Sequence, residues 1–581
     1  MAFSSSSLTT VGTKGSDVYT ATGVGDPHVA LSVLLTRGAE PSTVRRGVAA
    51  ILAMENQYEA LKDLCVLAFQ TRDVRGGKGE RAVAFEILKA LLEHSRYASL
   101  AENLLELVPE YGSWRDLFVL AQTHAQERIH GLVAEQLTKD LHALQQGKSV
   151  SLMAKYAPRE DKYPEQFKAL ANRLYADEPK YSRRCKMLRQ TLASLNKAAK
   201  TVEIKMCGHA FAEIDPAQVP GRALQKYTKA FLNEPSSYKT PEIPRPSYEP
   251  DRIACAKHFQ EYFAKAAKGE AKLNGSTTVF PHELIKKVVS ILTTKSHSLF
   301  PNQTVGHRKE VVRSDEENAI VGVWNQMVKD AKEGGGLGRS LAMCDFSGSM
   351  QCSGSNKDTP YWVSMAMGLL VSEVTTEEFQ DTFLTFDSTP KLHRLPKGDI
   401  FQRVASITHS LGQGTSTDFQ KAMDLVLQRC KHMRVKPGQE PENLIVLTDM
   451  NWDQACSSSQ SSAYTGNKYR HVVKTDPWQT HVEMIREAFK RAGEDMHGEG
   501  QGLTMPRIVI WNIAATSADF HAKADTEGVV MLSGWSPSLF KVLQKEGVVI
   551  QTPYLALRAQ LDDPRYDPVR QKVELWWRFG Q

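Results

Sequence analysis

The sequence lacks the cysteine spacing and the long apolar runs that mark disulfide-rich or membrane-spanning proteins. Its eight cysteines form no C-x-x-C pair, so neither a disulfide framework nor a zinc site is predicted. No apolar run approaches the roughly 18 residues that a spanning helix needs. The opening MAFSSSSLTT has no Lys or Arg and no long apolar stretch, unlike a secretory signal. These absences predict a cytoplasmic protein without a membrane anchor.

Charge is unevenly distributed along the 581 residues. Hydrophobic residues make up 41% and charged residues 24%, which is ordinary for a globular protein. Residues 1–338 contain 46 basic and 38 acidic side chains, a balance of +8, whereas residues 339–581 contain 26 and 28, a balance of −2. The asymmetry indicates two halves with different roles. Within the first half, residues 151–200 are the most basic block, with 12 basic and 5 acidic side chains.

The first half has the pattern of successive helices. Apolar residues recur three and four positions apart over residues 25–333, and alternating strand patterns are nearly absent. Many medium-length helices in tandem predict an all-α, HEAT-like helical-repeat domain, although no strict sequence period is present. Residues 1–24 are predicted to form a flexible tail. The proline-rich segment 235–250 interrupts the helices and is predicted to be extended.

The pattern changes after a glycine run at residues 334–338, which we predict to be a linker. Residues 339–581 alternate short apolar runs with helical segments, which is typical of a doubly wound α/β domain with a mostly parallel sheet. A C-terminal extension follows that sheet. Ligands of such sheets bind beyond the carboxyl ends of the strands.

Three loops at predicted strand ends or helix starts carry oxygen ligands. The first contains Asp345, Ser347 and Ser349, whose alternate spacing directs all three side chains to one side of an extended segment. The second, at residues 412–418, contributes Thr417, and the third contributes Asp449. Hydroxyls with few carboxylates suit Mg²⁺ or another small, hard divalent cation.

This arrangement resembles the metal-ion-dependent adhesion site of von Willebrand factor A domains, over residues 339 to about 545. The resemblance implies that Asp345, Ser347, Ser349, Thr417 and Asp449 hold the metal, directly or through water. Thr415 is an alternative to Thr417, and Asp418 and Asp453 would act from further out. The alternative interpretation is that these residues only shape turns.

Two groups of basic residues are candidates for phosphate contacts. One surrounds the glycines of residues 71–81 (TRDVRGGKGER), where free amides could cradle a phosphate or Asp73 and Glu80 could instead form a salt network. The other lies in the basic block, interleaved with Tyr156, Tyr163, Tyr175 and Tyr181, where a solvated helix face with inward tyrosines is the alternative. The candidate RNA-binding residues are Arg72, Arg75, Lys78, Arg81, Lys155, Arg159, Arg183, Arg184, Lys186 and Arg189.

The order of a helical module and a C-terminal A-like domain resembles TROVE (Ro-type) proteins, which bind small non-coding RNAs. Residues 71–81 and 111–116 (YGSWRD) carry this resemblance. Residues 151–159 (SLMAKYAPR) and 281–284 (PHEL) place the chain closer to a family of the same layout whose function is unknown. The resemblance implies helical repeats that close into a ring, with the A domain joining the ends.

Two functional hypotheses follow. The first is a scaffold that binds small non-coding or single-stranded RNA. The second is an adaptor without RNA, in which a protein partner offers a carboxylate to the metal. A Mg²⁺-dependent hydrolase is a third alternative, but Ser347 stands where phosphohydrolases generally have their second carboxylate, so no enzyme activity is predicted.

Overall fold

The computed structural model of the chain describes residues 8–11, 17–234, 248–295, 313–351, 359–386, 390–408, 419–450, 477–515, 519–544 and 551–580. Before the glycine run the described residues are predominantly helical, as the sequence predicts, and a degenerate repeat remains an expectation. Their helices are α1 Pro27–Leu34, α2 Pro41–Leu52, α3 Gln57–Arg72, α4 Ala82–Leu92, α5 Ala98–Leu104, α6 Val108–Tyr111, α7 Trp114–Leu120, α8 Gln126–Gln145, α9 Met153–Tyr156, α10 Pro164–Leu174, α11 Tyr181–Ala198, α12 Val202–Cys207, α13 Gly221–Phe231, α14 Pro250–Ala267, α15 Pro281–Lys295 and α16 Asp315–Glu333.

Local sequence explains where these helices begin. Helix α16 starts with a capping box, because the Ser314 side chain accepts from the Glu317 amide and the Glu317 side chain accepts from the Ser314 amide at 2.9 Å. Helix α2 begins at Pro41, whose missing N–H costs nothing in a first turn. Among the described residues, no helix has the length and apolar character needed to cross a membrane.

Residues 17–24 do not form the flexible tail that the sequence predicts. Two short strands, β1 Thr9–Val11 and β2 Asp17–Tyr19, pair antiparallel. The Tyr19 amide donates to Phe520 O at 2.8 Å, and the Ala524 amide donates to Val24 O at 2.8 Å. Val18, Tyr19, Ala21 and Val24 are buried, so this segment packs against the second half of the chain.

The second half contains a six-stranded sheet that is mostly parallel, as predicted. Its order is β5-β4-β3-β6-β7-β8, and β5, an edge strand that we did not predict, pairs antiparallel with β4. The strands are β3 Ser340–Asp345, β4 Thr382–Phe386, β5 Leu392–Arg394, β6 Asn443–Thr448, β7 Arg507–Asn512 and β8 Val529–Ser533. The helices are α17 Pro360–Val374, α18 Ile400–Thr408, α19 Phe419–His432, α20 Pro477–His497, α21 Phe540–Gln544, α22 Pro553–Leu561 and α23 Asp567–Phe579.

The two faces of this sheet belong to two hydrophobic cores. Because side chains alternate along a strand, Leu444 and Val446 of β6 point to one face and Ile445 and Leu447 to the other. The first core also includes α1 to α11 and the C-terminal helices, and the second includes α13 to α17. Both cores therefore cross the glycine run, and the expectation that residues 25–333 and 339–581 are separately packed units is wrong.

The chain end returns to the first helices. Helix α23 packs on α3 and α5, and α22 packs on α3 and β8. The Trp576 indole donates to Ser99 Oγ at 2.9 Å, and its ring meets Tyr97 edge-on. The C-terminal extension thus joins the sheet to the first helices.

A loop between α3 and α4, which we call the clasp loop (residues 73–81), makes several polar contacts between the halves. The buried Asp73 carboxylate binds the Arg565 guanidinium and accepts from the Tyr566 hydroxyl at 3.2 Å. The ammonium of Lys78 donates to Ser32 O at 2.6 Å and to Ser533 Oγ at 2.8 Å. The loop therefore touches α1, β8 and the C-terminal extension at once.

A second set of polar contacts joins the last helices of the first half to the sheet domain. The Trp324 indole of α16 donates to Glu373 of α17 at 2.9 Å, and Arg403 of α18 lies 3.8 Å from the same carboxylate. Arg403 also pairs with Asp381 at 2.7 Å. The helical half therefore contacts the sheet domain through its first helices and through its last ones.

We predict that Asp73→Ala destabilises the whole protein. The substitution leaves Arg565 and Tyr566 without their buried acceptor, and losing one partner of a buried pair costs about 3 kcal/mol. The matched control is Asp562→Ala, which removes a 58% exposed partner of Arg558 and should cost less than about 1 kcal/mol. Chemical denaturation measures both, and equal losses would contradict the role given to the clasp loop.

Candidate functional site

Two carboxylates meet at the carboxyl edge of the sheet. Strands β3 and β6 are parallel neighbours, with Cys344 opposite Leu447, so the residues that follow emerge side by side. Asp345 ends β3, and Asp449 follows β6. Both side chains are fully buried, and the charge of Asp449 acts on Asp345. The structure therefore brings together two of the predicted ligands from separate loops.

Hydroxyl groups complete the described part of this cluster. Asp345 Oδ1 accepts from the Ser347 amide at 2.8 Å, which folds the loop back so that Ser347 Oγ lies 3.0 Å from Ser349 Oγ. Asp345 Oδ2 accepts from the Thr448 hydroxyl at 3.0 Å. Thr448 belongs to the third predicted loop, directly before Asp449, but it is not one of the predicted metal ligands. Thr415, Thr417, Asp418 and Asp453 lie outside the described residues.

The electrostatics of the cluster suit a cation. Burial and, next, the charge of Asp449 together raise the pKa of Asp345 to about 7, because two buried carboxylates disfavour each other's ionised form. A divalent cation would relieve that repulsion, and the oxygen-only donor set fits Mg²⁺. Among the described residues, no group of three or more His, Cys, Asp or Glu that could hold a metal is found, so hydroxyls would have to contribute.

Hydrogen bonds hold both the backbone amide and the backbone carbonyl of Met450, the residue after Asp449. Met450 adopts a left-handed φ of 64°, which costs a side-chain-bearing residue about 1 to 3 kcal/mol. Its amide donates to Thr448 Oγ1 at 3.1 Å, and its carbonyl accepts from His521 Nε2 at 2.9 Å. Burial lowers the pKa of His521, so the neutral ring makes this contact. Sequence reasoning missed His521, since nothing in its local sequence marks it.

The ends of two other strands at the same sheet edge, β7 and β8, bind α1. Asn512, at the end of β7, donates from Nδ2 to Val33 O at 3.0 Å, and Ser533, at the end of β8, donates to Ser32 O at 2.7 Å. The strand tips β3 and β6 therefore carry the carboxylates, while β7 and β8 bind the helical half.

The sequence leaves two alternatives for the clasp loop and Arg72, a phosphate cradle and a salt network. Lys78 is buried among protein acceptors, and burial lowers its pKa to about 7. Arg72 donates to the buried Asp116 at 2.8 Å, and Arg81 lies 2.8 Å from the same carboxylate. Arg75 is exposed. The salt-network alternative describes this loop better, with Asp73 and Glu80 paired to Arg565 and Arg37.

The basic block divides into occupied and exposed side chains. Lys155 pairs with Glu203 of α12 at 2.9 Å, and Arg184 donates to Glu178 O and Asn172. The exposed members, which we call the basic face, are Arg183, Lys186 and Arg189 of α11 together with Arg159, which precedes α10.

Known proteins resemble both parts of the chain. Residues 339–572 match the family model "Domain of unknown function (DUF7788)", and residues 124–238 match "Domain of unknown function (DUF2828)". Uncharacterized protein L728 of Acanthamoeba polyphaga mimivirus is 25% identical over 501 residues, covering 82% of this chain and 75% of the viral protein. The crystal structure of the Ro (RSR) protein of Deinococcus radiodurans aligns with 90% of this chain and 100% of its own, at 16% identity and a TM-score of 0.36.

We predict an unusual pH dependence for the metal-free protein. The folded state binds the Asp345 proton more tightly than the unfolded chain, so stability should fall as pH rises from near 3.8 to about 7 and then level off. Asp345→Asn should remove this decline and raise the melting temperature above pH 7. Thermal melts in a chelator across this range measure the effect, with the exposed Asp525→Asn as control. A decline that persists in Asp345→Asn would contradict the prediction.

Proposed function

We propose that this protein is an RNA-binding scaffold that also holds a divalent cation in its sheet domain. The observation that supports RNA binding is the basic face. Arg183 and Arg189 have side chains 65% and 52% exposed, and Lys186 is exposed beside them on α11. The sequence resemblance to TROVE-type proteins points to the same partner, a small non-coding or single-stranded RNA.

The ion pairs on this face do not block phosphate binding. Arg183 approaches Glu178 only at 3.8 Å, and Arg189 pairs with Glu160, whose side chain is 44% exposed. Exposed pairs of this kind contribute about 0 to 1 kcal/mol, so a phosphate can replace the carboxylate at little cost. Each neutralised phosphate also releases condensed counterions, which favours binding.

The second candidate function is a metal-dependent adaptor that does not bind RNA. The specific observation in its favour is the pair of buried carboxylates, Asp345 and Asp449, beside two serine hydroxyls. Asp345, Ser347, Ser349 and Asp449, with Thr417, would hold the cation. A Mg²⁺ ion with few protein charges around it stays electrophilic, and it would accept a carboxylate from a protein partner.

We predict that charge reversal on the basic face weakens RNA binding. Affinity for an unstructured single-stranded RNA should fall with salt, with a logarithmic slope of about −0.7 per phosphate contact, and the pair Arg183→Glu, Lys186→Glu should flatten that slope. The control, Lys265→Glu with Lys268→Glu, reverses the same number of exposed charges on α14. Fluorescence anisotropy measures both, and equal effects of the two pairs would exclude the basic face.

We predict that Mg²⁺ raises the melting temperature of the full chain. The cation replaces the proton of Asp345 and relieves its repulsion with Asp449, so the rise should be larger at pH 8 than at pH 6. Asp345→Asn should abolish the rise, whereas Asp525→Asn should keep it. Identical melting curves with Mg²⁺ and with a chelator, in protein shown to be metal-free at the start, would leave the three loops as turn structure alone.

A further inference from the structure

Two tyrosines of the basic block face solvent. Tyr163 is 43% exposed and Tyr181 is 46% exposed, whereas Tyr175 is partly buried and its hydroxyl bonds Thr191. Large aromatic side chains usually bury most of their surface, because their apolar area favours the core. The alternative of inward tyrosines therefore holds for Tyr175 and fails for Tyr163 and Tyr181.

Both exposed rings flank the same part of α10. Tyr163 precedes this helix, and its carbonyl accepts from the Phe167 amide at 2.9 Å. Lys168, the next residue, places its ammonium 5.8 Å from the centre of the Tyr181 ring. Lys162 places its ammonium 5.5 Å from the centre of the Tyr163 ring. Each ring thus has a cation beside it. In single-strand binding, an aromatic ring stacks on a base and a nearby cation contacts the phosphate.

A cavity of about 460 Å³ opens beside residues 159–161, which shortly precede Tyr163 in the chain. Phe167 and Leu192, both buried, supply apolar walls, and Arg159 and Asp161 are exposed at its edge. Two guanidiniums, of Arg159 and Arg189, and two carboxylates line the cavity, and they offer donors and acceptors to the edge of a planar ring. Its volume and chemistry suit one nucleobase better than a phosphate alone.

We propose that the basic face binds unpaired nucleotides, with one base in this cavity and neighbouring bases stacked on Tyr163 and Tyr181. The inference rests on the proposed RNA-binding function and deepens it. In an A-form duplex the bases are stacked on each other and their pairing edges are occupied, so neither the cavity nor the rings can reach them. A site built this way should prefer single-stranded RNA over a duplex of the same sequence.

Binding of a short unstructured RNA and of its perfect duplex, measured by fluorescence anisotropy with the full chain, tests this inference. Stacking contributes about 1 to 3 kcal/mol per base, so Tyr163→Ala and Tyr181→Ala should each weaken single-strand binding roughly 5- to 150-fold. Tyr163→Phe and Tyr181→Phe keep the ring and should bind like the unmodified protein. Weak duplex binding through phosphates should be unchanged in all four variants.

A pocket-filling variant tests the cavity without changing any charge. Ala193 is exposed on α11 and lines the cavity, so Ala193→Trp should fill it and weaken single-strand binding while leaving the melting temperature and the salt slope unchanged. Equal affinity for single strand and duplex, with no effect of the tyrosine and Ala193 variants, would overturn this inference and leave the RNA-binding function intact. Absence of binding to either RNA would overturn both.

Discussion

The architecture depends on how the structure accommodates the buried ammonium of Lys78. A buried charge is costly unless polar partners surround it, and the acceptors here come from the end of α1 and from Ser533 at the tip of β8. The Ser32 carbonyl, in the last turn of α1, also accepts from the Leu35 amide at 3.2 Å and from the Ser533 hydroxyl at 2.7 Å. Lys78 and Ser533 therefore share the acceptors at this helix end. Because the buried lysine takes its partners from both α1 and β8, it ties the helical half to the sheet.

This docking places the candidate cation site beside the helical half. Asn512 binds α1 from the end of β7, and β7 pairs with β6, so α1 sits one strand away from Asp449. His521 holds Met450, while the loop around it hydrogen-bonds residues 19–24. A Met450 backbone strained to φ 64° persists only because these neighbours hold it. The geometry of Asp449 thus rests on contacts made by both halves of the chain.

Much of the sheet and the meeting of the two carboxylates could be predicted from sequence. Strands such as β3 and β6 are short apolar runs, and parallel strands end at one edge, so Asp345 and Asp449 had to emerge together. Strand β5 has only three residues with no alternation to detect. The contacts of Asp73 with Arg565 join residues 492 positions apart, and no local pattern reports such a pairing. The packing of residues 17–24 could not be predicted for the same reason, because their partners lie beyond residue 519.

The basic residues show most clearly that the local sequence does not determine whether a side chain is exposed or paired. Arg183 and Arg184 are adjacent in one helix, yet a helix turns by 100° per residue, so their side chains leave it in different directions. Arg184 meets Glu178 O and Asn172, whereas Arg183 extends into solvent. The residues of 71–81 have a similar composition, but their neighbours bury Lys78 completely. Local charge therefore predicts a phosphate-binding surface only where packing leaves the cations exposed to solvent, and among the described residues the basic face meets that condition.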